Sequence, residues 1–308
     1  MEIGKLILNS SVADALNVLG DRWSLMIVRD VFLGRRRFGE LLAHTGTSRG
    51  TLSKRLKALV HNGVLYKNPY CAAPARFEYR LTDKGFALYN FSLAIWRWET
   101  TWGGANSGEL PAKLMHKQCK QQFEPTPLCQ HCREPVYVRD VSYKPGPGAG
   151  SAPTSNADVL RRSKIKLEQH IGNDSSLFHV TDLIGDRWTP LVLAAAFFGL
   201  RRYDDIQKGL NIATNILADR LKLLLDAGVL NRSRYQQNPP RYEYRLTDKG
   251  RDLYGVTITL QQWGEQWLPN ASGPAVQFYH SCSKKPLRIV MTCSHCGSEV
   301  SAQDVVFN

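Results

Sequence analysis

The string PARFEYRLTDKG, residues 74–85, occurs a second time as PPRYEYRLTDKG, residues 239–250. The same offset of 165 residues separates GDRW at 20–23 from GDRW at 185–188, so no gap is needed between these points. Over residues 19–85, 27 of 67 aligned positions are identical. A period this long excludes a solenoid, whose repeats are about 20–45 residues. The sequence therefore predicts two copies of one domain.

Length and charge agree with this prediction and narrow the class of partner. At roughly 150 residues per domain, 308 residues predict about two domains. The net charge of +13 and the pI of about 9.5 favour a polyanionic partner, which is either nucleic acid or an anionic membrane surface. The hydrophobic fraction of 43% and the charged fraction of 22% exclude wholesale disorder.

No segment of the sequence has the pattern of a membrane span or a leader. The longest apolar block, residues 191–200, is shorter than the roughly 20 residues that cross a bilayer. Residues 1–10 lack the apolar stretch of a secretory signal. These observations predict a cytoplasmic location. In a reducing compartment the seven cysteines are better candidates for metal ligands or thiols than for disulfides.

The period of the apolar residues predicts the order of elements in one copy. Four helices come first, at 11–19, 23–33, 38–43 and 48–62, with SVAD at 11–14 as a capping box and Ser48 as the N-cap of the fourth. Strands at 64–67 and 77–81 flank a loop at 69–75, and Thr82 and Asp83 cap a last helix of about 18 residues. A helix-turn-helix followed by a hairpin is a winged helix, in which the helix after the turn enters the major groove of DNA.

Several of these strings resemble the HxlR-type winged helix family, which is related to the MarR-type regulators. The resemblance rests on LGDRW at 19–23, RRF at 36–38, LSKRLK at 52–57, GVL at 63–65 and PARFEYRLT at 74–82, and in the second copy on RRY at 201–203, LADRLK at 217–222 and PPRYEYRLT at 239–247. It implies a bacterial or archaeal DNA-binding transcription regulator, whose single-copy members bind DNA as homodimers. Many members carry a sensing cysteine before the first helix, whereas this sequence has NSS at 9–11 and SSL at 175–177, so thiol sensing by that route is not expected.

We therefore predict an α+β, mainly helical fold with two winged helix-turn-helix domains, each followed by a small zinc-ribbon-like segment. The predicted bounds are 10–108 for the first winged helix domain and 113–143 for its ribbon. A flexible linker rich in Pro, Gly and Ser follows at 144–157. The second winged helix domain spans 175–272 and its ribbon 277–308.

The candidate DNA-binding residues lie at the start of each recognition helix, before the third helix, and on the wing. Arg49 is suited to guanine and Asn215 to adenine, while the arginine pairs are suited to phosphates. Arg76 lies beside the wing tip, where it could enter the minor groove. The full set is Arg36, Arg37, Ser48, Arg49, Thr51, Ser53, Lys54, Lys57 and Arg76 in the first copy, and Arg201, Arg202, Thr214, Asn215, Lys222 and Arg241 in the second.

The two recognition helices differ in charge. Asp219 stands where the first copy has Lys54, and would repel a phosphate. Residues 1–144 carry a net charge of +9, against +2 for residues 145–165 and +2 for residues 166–308. We therefore expect the first copy to supply most of the non-specific DNA affinity.

A histidine and three cysteines follow each winged helix with metal-ligand spacing. The predicted zinc ligands are His116, Cys119, Cys129 and Cys132 in the first copy, and His280, Cys282, Cys293 and Cys296 in the second, with each set closing a structural site within its own copy. His131 and His295, inside the CxxC knuckles, are rival ligands, and a ribbon that folds without metal is the alternative. Cys71, in the first wing loop, has no cysteine counterpart.

Two tryptophans, Trp98 and Trp102, recur as Trp263 and Trp267. They could line a ligand pocket, but a pair at this helical spacing favours a core or dimer interface.

The favoured function is a sequence-specific transcription regulator that binds double-stranded DNA, with two winged helices forming a dimer-like unit within one chain. A homodimer of such chains would present four winged helices. The alternative is a protein-interaction module in which the second winged helix and the ribbons mediate assembly. An enzyme is not expected, because no nucleophile elbow, phosphate loop or paired-carboxylate motif occurs.

Overall fold

The computed structural model describes residues 3–73, 75–103, 113–150 and 178–307. The predicted bounds at 104–108, the second half of the linker at 151–157 and the SSL string at 175–177 lie outside these residues. We refer to the described residues up to 150 as the first copy and to those from 178 as the second copy. None of the described helices combines the length and the apolar content that a membrane span requires.

The first copy contains the predicted winged helix with an additional helix before it. Its elements are α1 (Ile3–Leu8), α2 (Ser11–Leu19), α3 (Arg22–Phe32), α4 (Phe38–Thr45), α5 (Arg49–His61), β1 (Leu65–Ala72), β2 (Ala75–Leu81), α6 (Asp83–Phe86) and α7 (Tyr89–Trp102). A tail follows with β3 (Leu114–His116), β4 (Gln121–Phe123), β5 (Pro125–Cys129), a 3-10 turn and β6 (Val141–Pro145).

The second copy repeats this order. Its elements are α8 (Phe178–Ile184), α9 (Trp188–Phe197), α10 (Tyr203–Leu210), α11 (Thr214–Asp226), β7 (Leu230–Gln236), β8 (Arg241–Leu246), α12 (Asp248–Asp252) and α13 (Tyr254–Trp267), and its tail has β9 (Val276–His280), β10 (Ile289–Cys293) and β11 (Val305–Phe307). In each copy the two wing strands form an antiparallel pair.

Three local predictions differ from the structure. Ser10, not Ser11, is the N-cap of α2, because its Oγ accepts a hydrogen bond from Ala13 N. The predicted loop at 69–75 is mostly strand, since β1 continues to Ala72. The predicted last helix of about 18 residues is two helices, α6 and α7, and the bend between them buries Leu88 completely in the core.

The two copies pack against each other through α2, α7 and α13 in a reciprocal way. Trp98 Nε1 donates to Lys249 O at 3.0 Å, and the equivalent Trp263 Nε1 donates to Lys84 O at 2.9 Å. The ammonium group of each of these lysines also lies over the ring of the tryptophan that it meets, at 5.1 Å for Lys249 and 5.7 Å for Lys84. The predicted interface role of these tryptophans is therefore confirmed.

The arginine of each GDRW string also reaches the other copy. Arg22 Nη1 lies 3.4 Å from Asp182 Oδ1, and Arg187 Nη1 lies 3.4 Å from Asn17 Oδ1, at equivalent positions of the repeat. Trp102 Nε1 donates to Asp252 Oδ2 across the same interface. The two arginine contacts and the two tryptophan bonds thus relate the copies by an approximate twofold exchange, whereas the contact of Trp102 has no counterpart because Ala87 stands at the position equivalent to Asp252.

The tail strands pair almost entirely between copies, which corrects the prediction of a ribbon within each copy. Strand β5 pairs with β10, β3 with β11, and β6 with β9, all antiparallel. Among the tail strands that the structure describes, β3 and β4 alone pair within one copy. Strands of three to five residues present few hydrogen bonds by themselves, and the neighbouring copy supplies the missing edges.

The predicted linker begins inside this exchanged sheet. Lys144 and Pro145 belong to β6, and Gly146 N donates to Ala275 O at 2.9 Å. The chain can lie this close because Gly146 has no Cβ, which would meet Pro274 O at 2.1 Å. Residues 144–149 are therefore part of the fold, and the remaining predicted linker residues, 151–157, lie outside the described part of the chain.

Gly264 sets how closely α13 approaches α2, and we predict that it tolerates no side chain. A Cβ at Gly264 would lie 2.3 Å from Ser11 O. We expect Gly264→Ala to lower the free energy of unfolding by about 2 kcal/mol, because overpacking forces the helices apart. Urea unfolding of the full chain measures this change.

Gly39→Ala in α4 is the matched control, because a Cβ there meets nothing within 4 Å. This variant should be neutral or up to about 1 kcal/mol more stable, since alanine favours a helix over glycine. Equal destabilisation by both variants would contradict the close approach of α2 and α13.

Glu99 makes the stability depend on pH. The side chain is completely buried between the copies, and Glu99 Oε1 accepts a hydrogen bond from Val180 N at 2.6 Å. Burial raises the pKa of Glu99 to about 7, while Val180 N and Lys249 oppose the rise and Asp182 adds to it. Burial also raises the pKa of Asp182 to about 6, against the effect of Arg22.

A carboxyl group whose pKa is raised by folding holds its proton in the folded state after the unfolded chain has released it. The contribution of Glu99 to the free energy of unfolding is therefore largest below the unfolded pKa of about 4.3. It falls as the pH rises through the folded pKa of about 7, by a total on the order of 3 kcal/mol. Glu99→Gln should flatten this slope in urea unfolding between pH 5 and 8, leaving the smaller Asp182 contribution. An exposed control, Glu124→Gln, should keep the slope, and an unchanged slope in Glu99→Gln would count against the assignment.

Candidate nucleic-acid interface and metal centres

The recognition helices α5 and α11 begin with exposed residues in both copies. Arg49, Lys54 and Lys57 are exposed on α5, and Thr214, Asn215 and Lys222 are exposed on α11, while Thr51 and Ser53 are half-buried. The apolar residues Leu52, Leu56 and Leu59 of α5 are buried on the opposite face. The helix thus holds its core face inward and presents its candidate base-reading residues outward.

Ser48 is the predicted N-cap of α5, and the structure confirms this role. Its Oγ accepts from Thr51 N at 3.2 Å and donates to Thr51 Oγ1 at 2.9 Å. The equivalent Ala213 has no side-chain cap. The hydroxyl groups of Ser48 and Thr51, both candidate DNA contacts, therefore hydrogen-bond to each other in the protein without DNA.

The arginine pair before α4 is attached to the wing. Tyr79 N in β2 donates to Arg36 O at 2.8 Å, and Tyr244 N in β8 donates to the equivalent Arg201 O at 2.7 Å. Arg37 stacks over Tyr70 of β1 at 4.8 Å, a contact that Arg202 and Tyr235 repeat at 4.7 Å. Each winged helix thus presents its exposed arginine pair next to its wing.

The exposed wing residues Arg76 and Arg241 add charge to the same side. Arg76 lies near the start of β2 and Arg241 opens β8, and both are exposed next to the wing turn. The exposed aromatic residues Tyr66, Tyr70 and Phe77 lie on the first wing and Tyr235 on the second. All fifteen predicted DNA-binding residues are thus on the recognition helices, the arginine pairs or the wings, and none is fully buried.

An aspartate that the sequence analysis did not interpret positions each recognition helix. Asp21 caps α3 through Ser24 N at 3.1 Å and binds Arg55 of α5, whose Nε lies 3.0 Å away. Asp186 repeats this with Thr189 N at 3.1 Å and Arg220 Nε of α11 at 3.2 Å. The sequence signal for this role was the recurrence of GDRW, together with the arginine that KRLK at 54–57 and DRLK at 219–222 share.

The eight predicted metal ligands meet in two groups, but each group combines both copies. His116 and Cys119 lie with Cys293 and Cys296, while Cys129 and Cys132 lie with His280 and Cys282. Within each group the ligand atoms all lie within 4.8 Å of one another, so each group could hold a metal ion. The prediction that each copy closes its own site is therefore wrong, because the tail strands that carry the ligands pair between copies.

The contacts inside the two groups are similar. Cys119 Sγ lies 3.9 Å from Cys293 Sγ, and Cys129 Sγ lies 3.8 Å from Cys282 Sγ. His116 Nδ1 lies 3.3 Å from the sulfurs of both Cys119 and Cys296. These sulfur separations are far longer than the roughly 2.05 Å of a disulfide, and all seven cysteines are free thiols.

The backbone around the CxxC knuckles also suits a metal centre. The N–H groups of His131 and Cys132 hydrogen-bond to Cys129, and those of His295 and Cys296 hydrogen-bond to Cys293. The residue after each knuckle, Arg133 or Gly297, has a positive φ. The rival ligands His131 and His295 are exposed and belong to neither group.

A separate apolar cavity of about 80 Å³ lies between α3 and α7 of the first copy. Its lining includes Phe32, Trp96 and, from the tails, Leu114 and Phe307, but neither Trp98 nor Trp102. The tryptophan pair therefore does not line this cavity. The cavity is not the ligand pocket that was the alternative role for these residues.

Known proteins match each copy separately. The family model described as HxlR-like helix-turn-helix matches residues 18–107 and 183–272. An uncharacterized HTH-type transcriptional regulator of Mycobacterium bovis is 38% identical over 136 residues, which are 44% of this chain and 86% of that protein. Another, from Synechocystis, is 37% identical over 102 residues, or 33% of this chain and 76% of that protein.

One solved structure among the matches is of a proposed transcription factor from Pseudomonas aeruginosa. It is 35% identical with a TM-score of 0.33, and the alignment covers 40% of this chain and 84% of that one.

Proposed function

Because the chain belongs to the HxlR-like helix-turn-helix family, we propose that it is a sequence-specific transcription regulator that binds double-stranded DNA with both winged helices of one chain. The matched relatives are named as transcriptional regulators, and not as enzymes or as interaction modules. We expect a regulator of this kind to act in the cytoplasm.

The observation that carries the proposal is the reciprocal contact of the two copies. The paired hydrogen bonds of Trp98 and Trp263 hold the winged helices in a fixed relation, as a dimer interface does between two chains. Each copy keeps its recognition helix and wing exposed. Two such helices would contact half-sites about one helical turn of DNA apart.

The contacts are assigned by side-chain chemistry. Arg49 would read guanine and Asn215 adenine through bidentate hydrogen bonds. Arg36, Arg37, Arg201 and Arg202 would bind phosphates beside the wings, and Arg76 and Arg241 would reach the minor groove. Lys54, Lys57 and Lys222 would contact the backbone along the helices, with Ser48, Thr51, Ser53 and Thr214 at their first turns.

We also propose that each group of three cysteines and one histidine holds a structural zinc ion. Zinc–sulfur bonds of about 2.3 Å in a tetrahedron place two sulfurs about 3.8 Å apart. The measured separations are 3.9 Å and 3.8 Å. Thiolate and imidazole ligands together are the usual donors of such sites.

Binding of the full chain to a pool of random duplexes, followed by footprinting of the selected sequence, tests the proposed function. We expect one protected site with two half-sites of different sequence. A chain that selects no sequence, at any salt concentration, would refute the proposal.

Charge at the start of the recognition helices should set the salt dependence of binding. Lys54→Ala should reduce the slope of log affinity against log salt by about one, and Asp219→Lys should increase it by about one, since each phosphate contact releases about one counterion. Titration at several salt concentrations measures both slopes. Asp226→Lys, at the opposite end of α11, makes the same charge change as Asp219→Lys and should leave the slope nearly unchanged.

The asymmetry of the site should follow from the first turns of the helices. Giving α11 the first-turn residues of α5, with Ala213→Ser, Thr214→Arg, Asn215→Gly, Ile216→Thr and Asp219→Lys, should make the selected site closer to a palindrome. The reason is that both helices would then present the same base-reading groups. Repeated selection from the random pool measures this, and an unchanged site would show that these residues do not read bases.

A further inference from the structure

We infer that the two metal groups are reciprocal fasteners, in which zinc joins the first copy to the second and, together with the helix contacts, holds the two recognition helices at their spacing. This inference rests on the proposed DNA-binding function for its consequence, but the sharing of ligands between copies stands apart from it. Zinc availability to the chain would then control whether its two winged helices act together.

Each metal group takes its ligands from both copies. In each group one copy supplies a CxxC knuckle and the other supplies a histidine and a cysteine. Neither copy contributes more than two ligands to either group. Because a closed structural zinc site needs four protein ligands, neither copy alone can complete a site of the observed geometry.

The register of strands β5 and β10 separates the two CxxC knuckles. In the ladder of β5 and β10, Cys129 pairs with Ile289 at one end and Cys293 pairs with Pro125 at the other end. The two knuckles therefore leave opposite ends of one intercopy ladder. Each meets a histidine that is itself in an intercopy pair, His280 with Val141 and His116 with Val305.

In each group the histidine and one cysteine are buried. His116 is 1% exposed and His280 is 7% exposed, and Cys129 and Cys293 are buried under the strands. The imidazole Nδ1 atoms contact only thiols of the same group, His116 with Cys119 and Cys296 and His280 with Cys132, and a zinc ion would replace these weak contacts with metal–ligand bonds. Zinc binding contributes free energy of folding directly in such sites. Here it would stabilise the association of the two copies.

The consequence for DNA follows from linkage. Two binding modules held at a fixed spacing gain affinity from the high effective concentration of the second, by about 10²–10⁴-fold when the geometry fits. A chain without zinc keeps the helix contacts of α2, α7 and α13 but loses the ties between the tails. Because the helix contacts remain, we expect zinc removal to cost only part of this gain at the two-half-site duplex, and to leave binding to a duplex with one half-site nearly unchanged.

Pairs of Cys→Ser substitutions in the full chain test the ligand sharing. The variant with Cys119→Ser and Cys293→Ser alters one group, and the variant with Cys119→Ser and Cys129→Ser alters both. Wild type should contain two zinc ions per chain, the first variant should keep one, and the second should keep none. Metal analysis of the purified protein counts the ions, and Cys71→Ser, in the wing, should keep both.

The opposite result, no zinc in the first variant and one in the second, would show that each copy closes its own site and would overturn the inference. Wild-type protein without bound zinc would also overturn it. Cobalt-loaded protein gives a second readout, since tetrahedral thiolate coordination has a characteristic absorption.

The DNA consequence has its own measurement. Protein stripped by a chelator, with its helical content checked by circular dichroism, should lose about 10-fold in affinity for the selected duplex and recover it with zinc. Unchanged affinity in folded, zinc-free protein would overturn the control of DNA binding. Zinc-loaded wild type that binds no DNA would instead refute the proposed function, and the zinc counts would still decide the sharing of ligands.

Discussion

Trp98 is completely buried, and its indole N–H donates to a backbone carbonyl of the other copy, at Lys249. Trp263 makes the same bond in return, to Lys84. Separating the copies would expose both indole rings to water, and the cost of exposing that much apolar surface opposes separation. Because both bonds come from the helices that follow the wings, they fix where each winged helix lies relative to the other.

The exchange of tail strands extends the same dependence. The strands are too short to form stable sheets within one copy, and they carry the cysteine and histidine side chains at their ends. Once α7 and α13 are packed together, the two tails emerge next to each other and complete each other's edges. The metal groups are therefore products of the association between copies.

The copies have diverged where their surroundings differ. Helix α1 packs on α9 and α10 of the second copy, where Gly4 allows the close approach because a Cβ there would overlap the backbone of Gly209. The positions of the first copy that correspond to Ala194 and Ala195 hold Arg29 and Asp30, and Asp30 is completely buried, at 2.9 Å from Arg29 Nε. In the same way, Glu99 corresponds to Gly264, which admits α2.

The sequence predicted the winged helices well because their signals are local. Leucine spacing on α5, the Ser48 cap and the alternation in β2 each depend on a few neighbouring residues. The partition of the metal ligands could not be predicted this way. The knuckle at Cys129 and Cys132 has equivalent chemistry to the knuckle at Cys293 and Cys296, so His116 could join either by sequence. Only the packing of the copies decides between them, and that packing depends on residues far apart in the chain.

The role of GDRW was missed for a related reason. Its recurrence was visible, but Asp21 acts on Arg55 and Arg22 acts on Asp182, at distances along the chain that no local pattern reveals. The string joins three tasks in each copy, since it caps a helix, holds the recognition helix and contacts the other copy. A short motif with several long-range partners can only be interpreted once the fold is known.

Joining two copies in one chain changes what the DNA surface can do. A homodimer of single-copy chains must present two identical recognition helices, since its interface is symmetric. Here the reciprocal tryptophan bonds and the exchanged tails preserve the symmetric frame, while the exposed first turns differ, with Arg49 and Lys54 on one helix and Thr214 and Asp219 on the other. Under the proposed function, duplication separates the residues that hold the frame from those that read the sequence. The second set can then change in one copy without affecting the other.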